Sequence, residues 1–160
     1  IGPFKKNIVM KAVVQRVSEA SVGIEGETVA AIKMGLLVLV GIEEADAEDD
    51  IEWICHKIVN LRIFDDENKV PNISVKDIGG NILLVSQFTL QASVKKGNRP
   101  SYIKAAKPQT AIHIYEKIIA MLETLLEKEI YTGSFGADMK VSLINDGPLT
   151  ILMDSKNPNL

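Results

Sequence analysis

Residues 35–42 read Gly-Leu-Leu-Val-Leu-Val-Gly-Ile, and this run decides the fold class. Because it is apolar at successive positions, both of its faces must be covered, which is typical of a buried strand. Shorter strand patterns precede it at residues 12–17, 20–24 and 28–32. A turn at Glu25-Gly26-Glu27 separates the last two. The first forty residues therefore predict a β-meander.

Two helical patterns and further strands follow this meander. Asp46 is a good N-cap for a helix that buries Ile51, Ile54, Ile58 and Leu61. Pro108 suits the first turn of a second helix. Its predicted buried face consists of Ala111, Ile114, Tyr115, Ile118, Leu122 and Leu125. The remaining predicted strands are residues 81–85, 129–131, 140–144 and 149–153.

This order predicts an α/β fold: a single domain in which a folded, barrel-like mixed β-sheet carries two main helices on one side. A length of 160 residues fits one domain with a real core. An α+β sandwich is the alternative architecture. Residues 1–9 are interpreted as an extension before the domain at residues 10–154, and residues 155–160 as a tail.

Charge distribution is more informative than the net charge of −3. Residues 78–115 hold no acid, while Lys95, Lys96, Arg99, Lys104 and Lys107 cluster in a short span. A local basic patch on an acidic protein suits a polyanionic ligand that is positioned at one site. A solvated loop whose lysines confer solubility explains the same pattern equally well.

Cysteine and histidine usage limits the chemistry. The one cysteine, Cys55, cannot form a disulfide within the chain, which suits a reducing cytoplasm. Together with His56 and His113 it forms no local zinc motif, and no calcium-loop spacing occurs, so we expect neither metal nor cofactor. Both histidines fall on helix patterns, where a surface role is more common than catalysis. No apolar run is long enough to span a bilayer.

Two segments carry candidate chemistry. Ser86-Gln87-Phe88-Thr89-Leu90 follows a buried strand directly and places hydroxyls, an amide and backbone N–H groups at a strand end. A strand end capped by its own side chains is the structural alternative. Asn145-Asp146-Gly147-Pro148-Leu149-Thr150 interrupts a strand pattern, because Pro148 has no N–H to donate. From the residues alone, a simple hairpin turn is favoured over a bulge or a cis bond there.

The same two segments resemble the signature motifs of D-aminoacyl-tRNA deacylases. Four further stretches resemble the family in register: residues 15–17, 57–62, 96–101 and 135–139. The resemblance covers Met10 to Asp154. Leu149 and Tyr102 depart mildly from it, since the family often has valine and phenylalanine at those places.

The resemblance implies a homodimer of the D-aminoacyl-tRNA deacylase fold that hydrolyses the ester between a D-amino acid and the 3′-terminal adenosine of tRNA. It also implies removal of glycine from tRNA. In the family a cis Gly-Pro bond, matched by Gly147-Pro148, enters the partner's pocket, and its main-chain oxygens exclude an L side chain. Arg16 matches a residue that helps to hold this bond, and Ala105 a small residue that lines the pocket. Met139 and Thr150 are the further substrate-binding candidates within the matched motifs.

The resemblance makes Ser86, Gln87, Phe88 and Thr89 the catalytic segment, but two mechanisms stay open. Thr89 is the nucleophile in the first, although no histidine lies near it in sequence. In the second, which the scarcity of acid–base residues favours, the 2′-OH of the terminal ribose activates water while backbone N–H groups near Phe88 and Thr89 stabilise the oxyanion. Lys95, Lys96 and Arg99 are the candidate tRNA contacts.

Two other classes of function remain as alternatives. One is a non-catalytic RNA- or nucleotide-binding domain of the same fold. The other is a serine esterase, which is weakened because the chain has no Gly-x-Ser-x-Gly sequence.

Overall fold

One long strand, β1 (Lys11–Ile24), pairs with three other strands and organises the sheet. The computed structural model describes residues 10–43 and 48–159. The remaining elements follow in chain order: β2 (Glu27–Ile32), β3 (Gly35–Gly41), α1 (Glu48–Asn60), β4 (Phe64–Asp65), β5 (Pro71–Ile73), β6 (Asn81–Ser86), a 3-10 helix (Phe88–Gln91), α2 (Pro108–Leu126), β7 (Tyr131–Thr132) and β8 (Lys140–Asp154).

The main sheet has six strands and is mixed. β1 is antiparallel to β2, β3 and β8, whereas β3 and β6, and then β6 and β7, run parallel. The strand order is β2-β1-β3-β6-β7, with β8 beside β1. Because β2 also approaches β6 and β7, the sheet curls towards a barrel. This architecture confirms the predicted single α/β domain with a folded mixed sheet and two helices.

The sheet separates two apolar cores. Side chains alternate across a strand, so Leu36 and Ile82 face the helices while Leu37 and Leu83 face the inside of the curl. All four are at most 1% exposed, which explains why β3 is apolar throughout. Burial of each such side chain contributes roughly 1.5–3 kcal/mol.

Both helices pack on the larger core. α1 buries Ile51, Ile54, Cys55 and Ile58, and three acids occupy its first turn, where the helix dipole favours them. Asp46, the predicted N-cap, lies outside the described residues. α2 begins at Pro108 as expected. Leu126, the last residue of the helix, is buried and the predicted Leu125 only partly so, and the helix ends at a left-handed C-cap, Glu127.

The structure corrects several predicted strand boundaries. Residues 12–17 and 20–24 form one strand, since β1 continues through two register shifts opposite β8. The short strand predicted at residues 129–131 is Tyr131–Thr132. The β4–β5 hairpin was not predicted, because its strands are too short for a clear alternation. Residues 140–144 and 149–153 are likewise parts of one strand, β8.

Candidate active site

The end of β6 positions the first segment. Ser86 is the last residue of β6 and lies opposite Val40 of the parallel strand β3. The Gln87 N–H then donates to the Val40 carbonyl at 2.7 Å, which extends the pairing by one residue. After this bond the chain turns into the 3-10 helix Phe88–Gln91. Such a helix leaves the N–H groups of its first residues without partners inside the helix.

Side chains fix this turn from both ends. The Gln87 amide donates to the Thr89 hydroxyl at 2.6 Å. The Gln91 side chain is 2% exposed and its amide donates to the Gly41 carbonyl at 2.9 Å. A Cβ on Gly41 would lie 2.8 Å from Leu90 Cβ, so only glycine allows the turn to pack this closely against β3. Neither Gln91 nor Gly41 was predicted as a site residue, and the only signal in the sequence was the place of Gly41 at the end of an apolar strand.

A cavity of about 650 Å³ opens beside this turn. Ser86, Gln87 and Phe88 form one side of it, and Ala105 and Met139 lie elsewhere in its lining. The other lining residues are Val40, Ile42, Val85, Tyr102, Ala106, Lys107, Pro108, Ala111, Phe135, Gly136, Ala137, Asp138 and Val141. Five of the predicted site residues thus share one cavity, while Thr89 lies in the turn behind Phe88.

Two aromatic contacts shape the cavity. Phe88 and Tyr102 meet edge to face with ring centroids 5.2 Å apart, and they are 57% and 43% exposed. Phe135 packs against Tyr115 of α2 at 5.8 Å. The Tyr115 hydroxyl donates to the buried Leu84 carbonyl at 3.0 Å, and burial raises the pKa of this phenol to about 12. Tyr115 therefore stays neutral and supports the Phe135 side of the cavity.

Few titratable groups reach the cavity. Among the described residues that line it, Lys107, Asp138 and Tyr102 are the only titratable ones. Asp138 forms an exposed ion pair with Lys140 at 3.1 Å. His56 and His113 are exposed on the helices and line no part of the cavity. The site consequently offers hydroxyl, amide and main-chain groups, and no histidine base.

The second segment is a bulge in β8, which corrects the hairpin-turn interpretation. Gln15 of β1 pairs with Thr150, and Val17 pairs with Asn145. Four residues of β8, Asp146 to Leu149, therefore stand opposite the single residue Arg16. A hairpin would require the flanking segments to pair with each other, whereas both pair with β1.

Arg16 holds this bulge. Its guanidinium donates to the Asp146 carbonyl at 2.9 Å and to the Ile63 carbonyl at 2.7 Å. A carboxylate oxygen of Asp65 and one of Asp146 each lie 3.7 Å from a guanidinium nitrogen of Arg16, whose side chain is only 12% exposed. The guanidinium is planar, always charged and carries several N–H donors, so it can bond two carbonyls from different segments at once.

Glycine is required inside the bulge. Gly147 has φ +143, and a Cβ there would lie 2.9 Å from the Leu149 nitrogen and 3.1 Å from an Arg16 nitrogen. The Gly147-Pro148 bond is cis, and both residues are exposed. They are not part of the lining of the chain's own cavity.

Asn145 closes the bulge, a role that was not predicted from the sequence. Its side chain accepts from the Leu149 N–H at 2.8 Å and donates to the Thr150 hydroxyl at 2.9 Å. The Gln15 amide also donates to the Thr150 hydroxyl, at 3.3 Å. Thr150 therefore acts within the bulge network and not within the cavity.

The predicted tRNA contacts lie on a projecting loop. Ser93 and Ser101 close this loop by two main-chain hydrogen bonds of 2.8 and 2.9 Å. Lys95, Lys96 and Arg99 are exposed at its tip. They do not line the cavity, but Tyr102, at the base of the loop, does.

In the described ranges, no group of three or more His, Cys, Asp and Glu side chains is placed to hold a metal ion. None of the helices described is both long and apolar enough to cross a membrane.

Comparison with known proteins identifies the family. The model of the family described as D-Tyr-tRNA(Tyr) deacylase matches residues 13–154. A D-aminoacyl-tRNA deacylase of Flavobacterium psychrophilum is 64% identical over 148 residues, which cover 92% of this chain and 99% of the relative. One of Bacteroides thetaiotaomicron is 63% identical over the same shares of the two chains. The chain therefore belongs to the D-Tyr-tRNA(Tyr) deacylase family.

Two solved structures share this fold. A c-Myc DNA Unwinding Element Binding Protein is 44% identical with a TM-score of 0.84, over 89% of this chain and 97% of that protein. A probable eukaryotic D-amino acid tRNA deacylase has a TM-score of 0.82 at 12% identity, over 91% and 99%. At that identity the second likeness concerns the fold alone.

Proposed function

We propose that this protein hydrolyses the ester bond of D-aminoacyl-tRNA and of glycyl-tRNA, releasing the free amino acid and tRNA. The observation that carries the proposal is the cavity bounded by Ser86, Gln87 and Phe88, in a chain whose relatives are D-aminoacyl-tRNA deacylases. Hydrolysis of an aminoacyl ester needs little acid–base help, because the ester is already activated. That demand fits a cavity lined mainly by apolar and main-chain groups.

Water activated by the ribose 2′-OH is the mechanism that the geometry favours over a Thr89 nucleophile. The Thr89 hydroxyl is bonded to the Gln87 amide, which is not a base at neutral pH. A nucleophilic hydroxyl needs a neighbouring base to accept its proton. The Phe88 and Thr89 N–H groups, which the 3-10 helix leaves without internal partners, supply donors for a developing oxyanion.

Single-turnover kinetics of Thr89→Ala separate these mechanisms, with Thr89→Ser as the matched variant that keeps the hydroxyl. We expect Thr89→Ala to retain a rate within about tenfold of wild type, since one hydrogen bond is worth about 1 kcal/mol. A rate lower by several orders of magnitude, with Thr89→Ser active, would identify Thr89 as the nucleophile.

Chirality is read, in this proposal, by the main chain of Gly147 and Pro148 from a second copy of the chain. The bulge is exposed and does not line its own cavity. On either side of the bulge β8 exposes apolar side chains, and Ile144 and Leu152 are 52% and 57% exposed. These side chains offer a surface on which the second copy could pack. In this proposal the main chain of Gly147 and Pro148 forms a rigid wall beside the substrate's Cα. An L side chain would clash with this wall, whereas glycine has no side chain that could clash.

The first assay follows the loss of D-tyrosyl-, L-tyrosyl- and glycyl-tRNA in parallel. We expect D-tyrosyl- and glycyl-tRNA to be deacylated and the L ester to persist. Loss of both tyrosyl esters would indicate an unselective esterase. Persistence of all three would favour the non-catalytic RNA- or nucleotide-binding domain.

A mixing experiment tests whether the wall comes from the partner. Ala105→Phe fills the cavity, and Pro148→Gly loosens the wall, so the second variant alone should also hydrolyse L-tyrosyl-tRNA. Re-association with excess Ala105→Phe chains should suppress this L activity while D activity remains, because each open cavity then faces an intact wall. Unchanged L activity in the mixture would place the wall in the same chain as the cavity.

The same fold in a protein named for DNA binding supports no second function here. The exposed cations of the loop tip, Lys95, Lys96 and Arg99, suit any nucleic-acid backbone. The cavity beside the loop is the feature that favours an aminoacyl ester.

A further inference from the structure

Gly133 lies where no side chain fits. It follows β7, and its N–H donates at 3.3 Å to the Leu84 carbonyl, which also accepts the Tyr115 hydroxyl. A Cβ built on Gly133 would overlap the Met139 sulfur. Since Gly133 is not among the residues with positive φ, it is the lack of space and not the backbone conformation that requires glycine.

Met139 separates Gly133 from the cavity. Met139 lines the cavity, whereas Gly133 does not. Met139 also packs on the inner core, whose member Val22 is fully buried and has a methyl carbon 3.6 Å from the position of the added Cβ. Because the buried core resists compression, a Met139 side chain displaced by a methyl group moves towards the open cavity.

We propose that Gly133 is a positioning residue that sets the width of the substrate cavity by keeping the Met139 side chain out of it. This inference rests on the proposed function, because it takes the cavity to be the place that receives the aminoacyl-adenosine end of tRNA. Gly133 itself touches no substrate and acts through Met139.

The two possible effects of a methyl group at position 133 differ in their readout. If the core residues moved to make room for the methyl group, the protein would lose stability but would bind substrate as before. If Met139 moves into the cavity, substrate binding weakens while the chemical step and the stability change little. The split between KM and kcat therefore distinguishes positioning from a structural role.

Gly133→Ala is the test, assayed with D-tyrosyl-tRNA. We expect KM to rise about tenfold, kcat to stay within about twofold and the melting temperature to change little. Adding Met139→Ala to Gly133→Ala should restore KM to that of Met139→Ala alone, because no long side chain is then left to displace. Gly23→Ala is the matched control, since a Cβ there meets only carbonyl oxygens at 3.6 and 3.8 Å.

A binding assay keeps this test separate from the deacylation reaction. The probe is the non-hydrolysable 3′-amide of D-tyrosine with 3′-amino-3′-deoxyadenosine, titrated by calorimetry. The same tenfold loss and rescue should appear in its Kd, even if the wild-type chain proved inactive and the proposed function failed. An unchanged Kd and KM with a lowered melting temperature, or no rescue by Met139→Ala, would overturn the role of Gly133.

Discussion

Replacement of Arg16 by lysine tests whether the β8 bulge must be held rigid to read chirality. The Arg16 guanidinium reaches the Asp146 and Ile63 carbonyls at 2.9 and 2.7 Å from two nitrogens of one plane. A lysine ammonium is a single point of charge and cannot serve both in this geometry. One charge-assisted hydrogen bond, worth about 1.5–3 kcal/mol, is therefore lost.

This loss should appear in two measurements. The melting temperature should fall by about 4–8 °C, as expected for about 2 kcal/mol in a chain of this length. The ratio of D- to L-tyrosyl-tRNA deacylation rates should fall about tenfold or more, mainly because the L ester becomes a substrate. Arg62→Lys is the matched control, since Arg62 is exposed and lies next to the same Ile63.

Two results would refute this reasoning. A lower melting temperature with an unchanged D to L ratio would mean that Arg16 only stabilises the fold. An unchanged melting temperature and ratio would mean that the two hydrogen bonds contribute nothing measurable.

Three further predictions concern other parts of the chain. Asn145→Ala removes two hydrogen bonds and should lower the free energy of unfolding by about 2 kcal/mol, whereas Asn145→Asp, which keeps the acceptor for the Leu149 N–H, should lose about half as much in urea unfolding. Replacing Lys95, Lys96 and Arg99 by glutamine should reduce the slope of log K against log salt for tRNA by about 2 and weaken all tRNAs alike; an unchanged slope in filter binding would remove them from the interface. Burial raises the pKa of Cys55 from 9.0 to about 12, so the folded state binds more protons than the unfolded state between these values. Stability should accordingly fall by up to about 1.4 kcal/mol per pH unit between about pH 9 and pH 10, above which the raised pKa of Tyr115 adds to the fall. Cys55→Ala should flatten the slope between pH 9 and pH 10 in pH-dependent unfolding.

Long apolar or helical periodicities predicted the fold class well. The apolar run at residues 35–42 and the helix that starts at Pro108 both lie where expected. Strand continuity was not predictable, because local pattern does not show that two segments share one partner. β1 and β8 each looked like two strands for this reason, although each is one strand that pairs with the other on both sides of the bulge.

The two segments of the candidate site also differed in how far the sequence alone predicted them. A polar segment at the end of an apolar strand indicated a site at Ser86, and the structure places that residue on a cavity. Physical reasoning alone made Asn145–Thr150 a turn, since the strand that turns it into a bulge lies about 130 residues earlier. The roles of Gly41, Gln91 and Gly133 depend on how closely distant segments of the chain approach one another. A local sequence pattern carries no information about such distances.

The pairing of β1 with β8 also has a consequence for how the chain folds during synthesis. About 115 residues separate the end of β1 from the start of β8. At roughly 5–20 residues per second, the ribosome needs about 6–23 seconds to make them. Throughout this interval one edge of β1 lacks its partner, and unpaired edges recruit other chains. Conditions that slow elongation should therefore increase aggregation of the nascent protein.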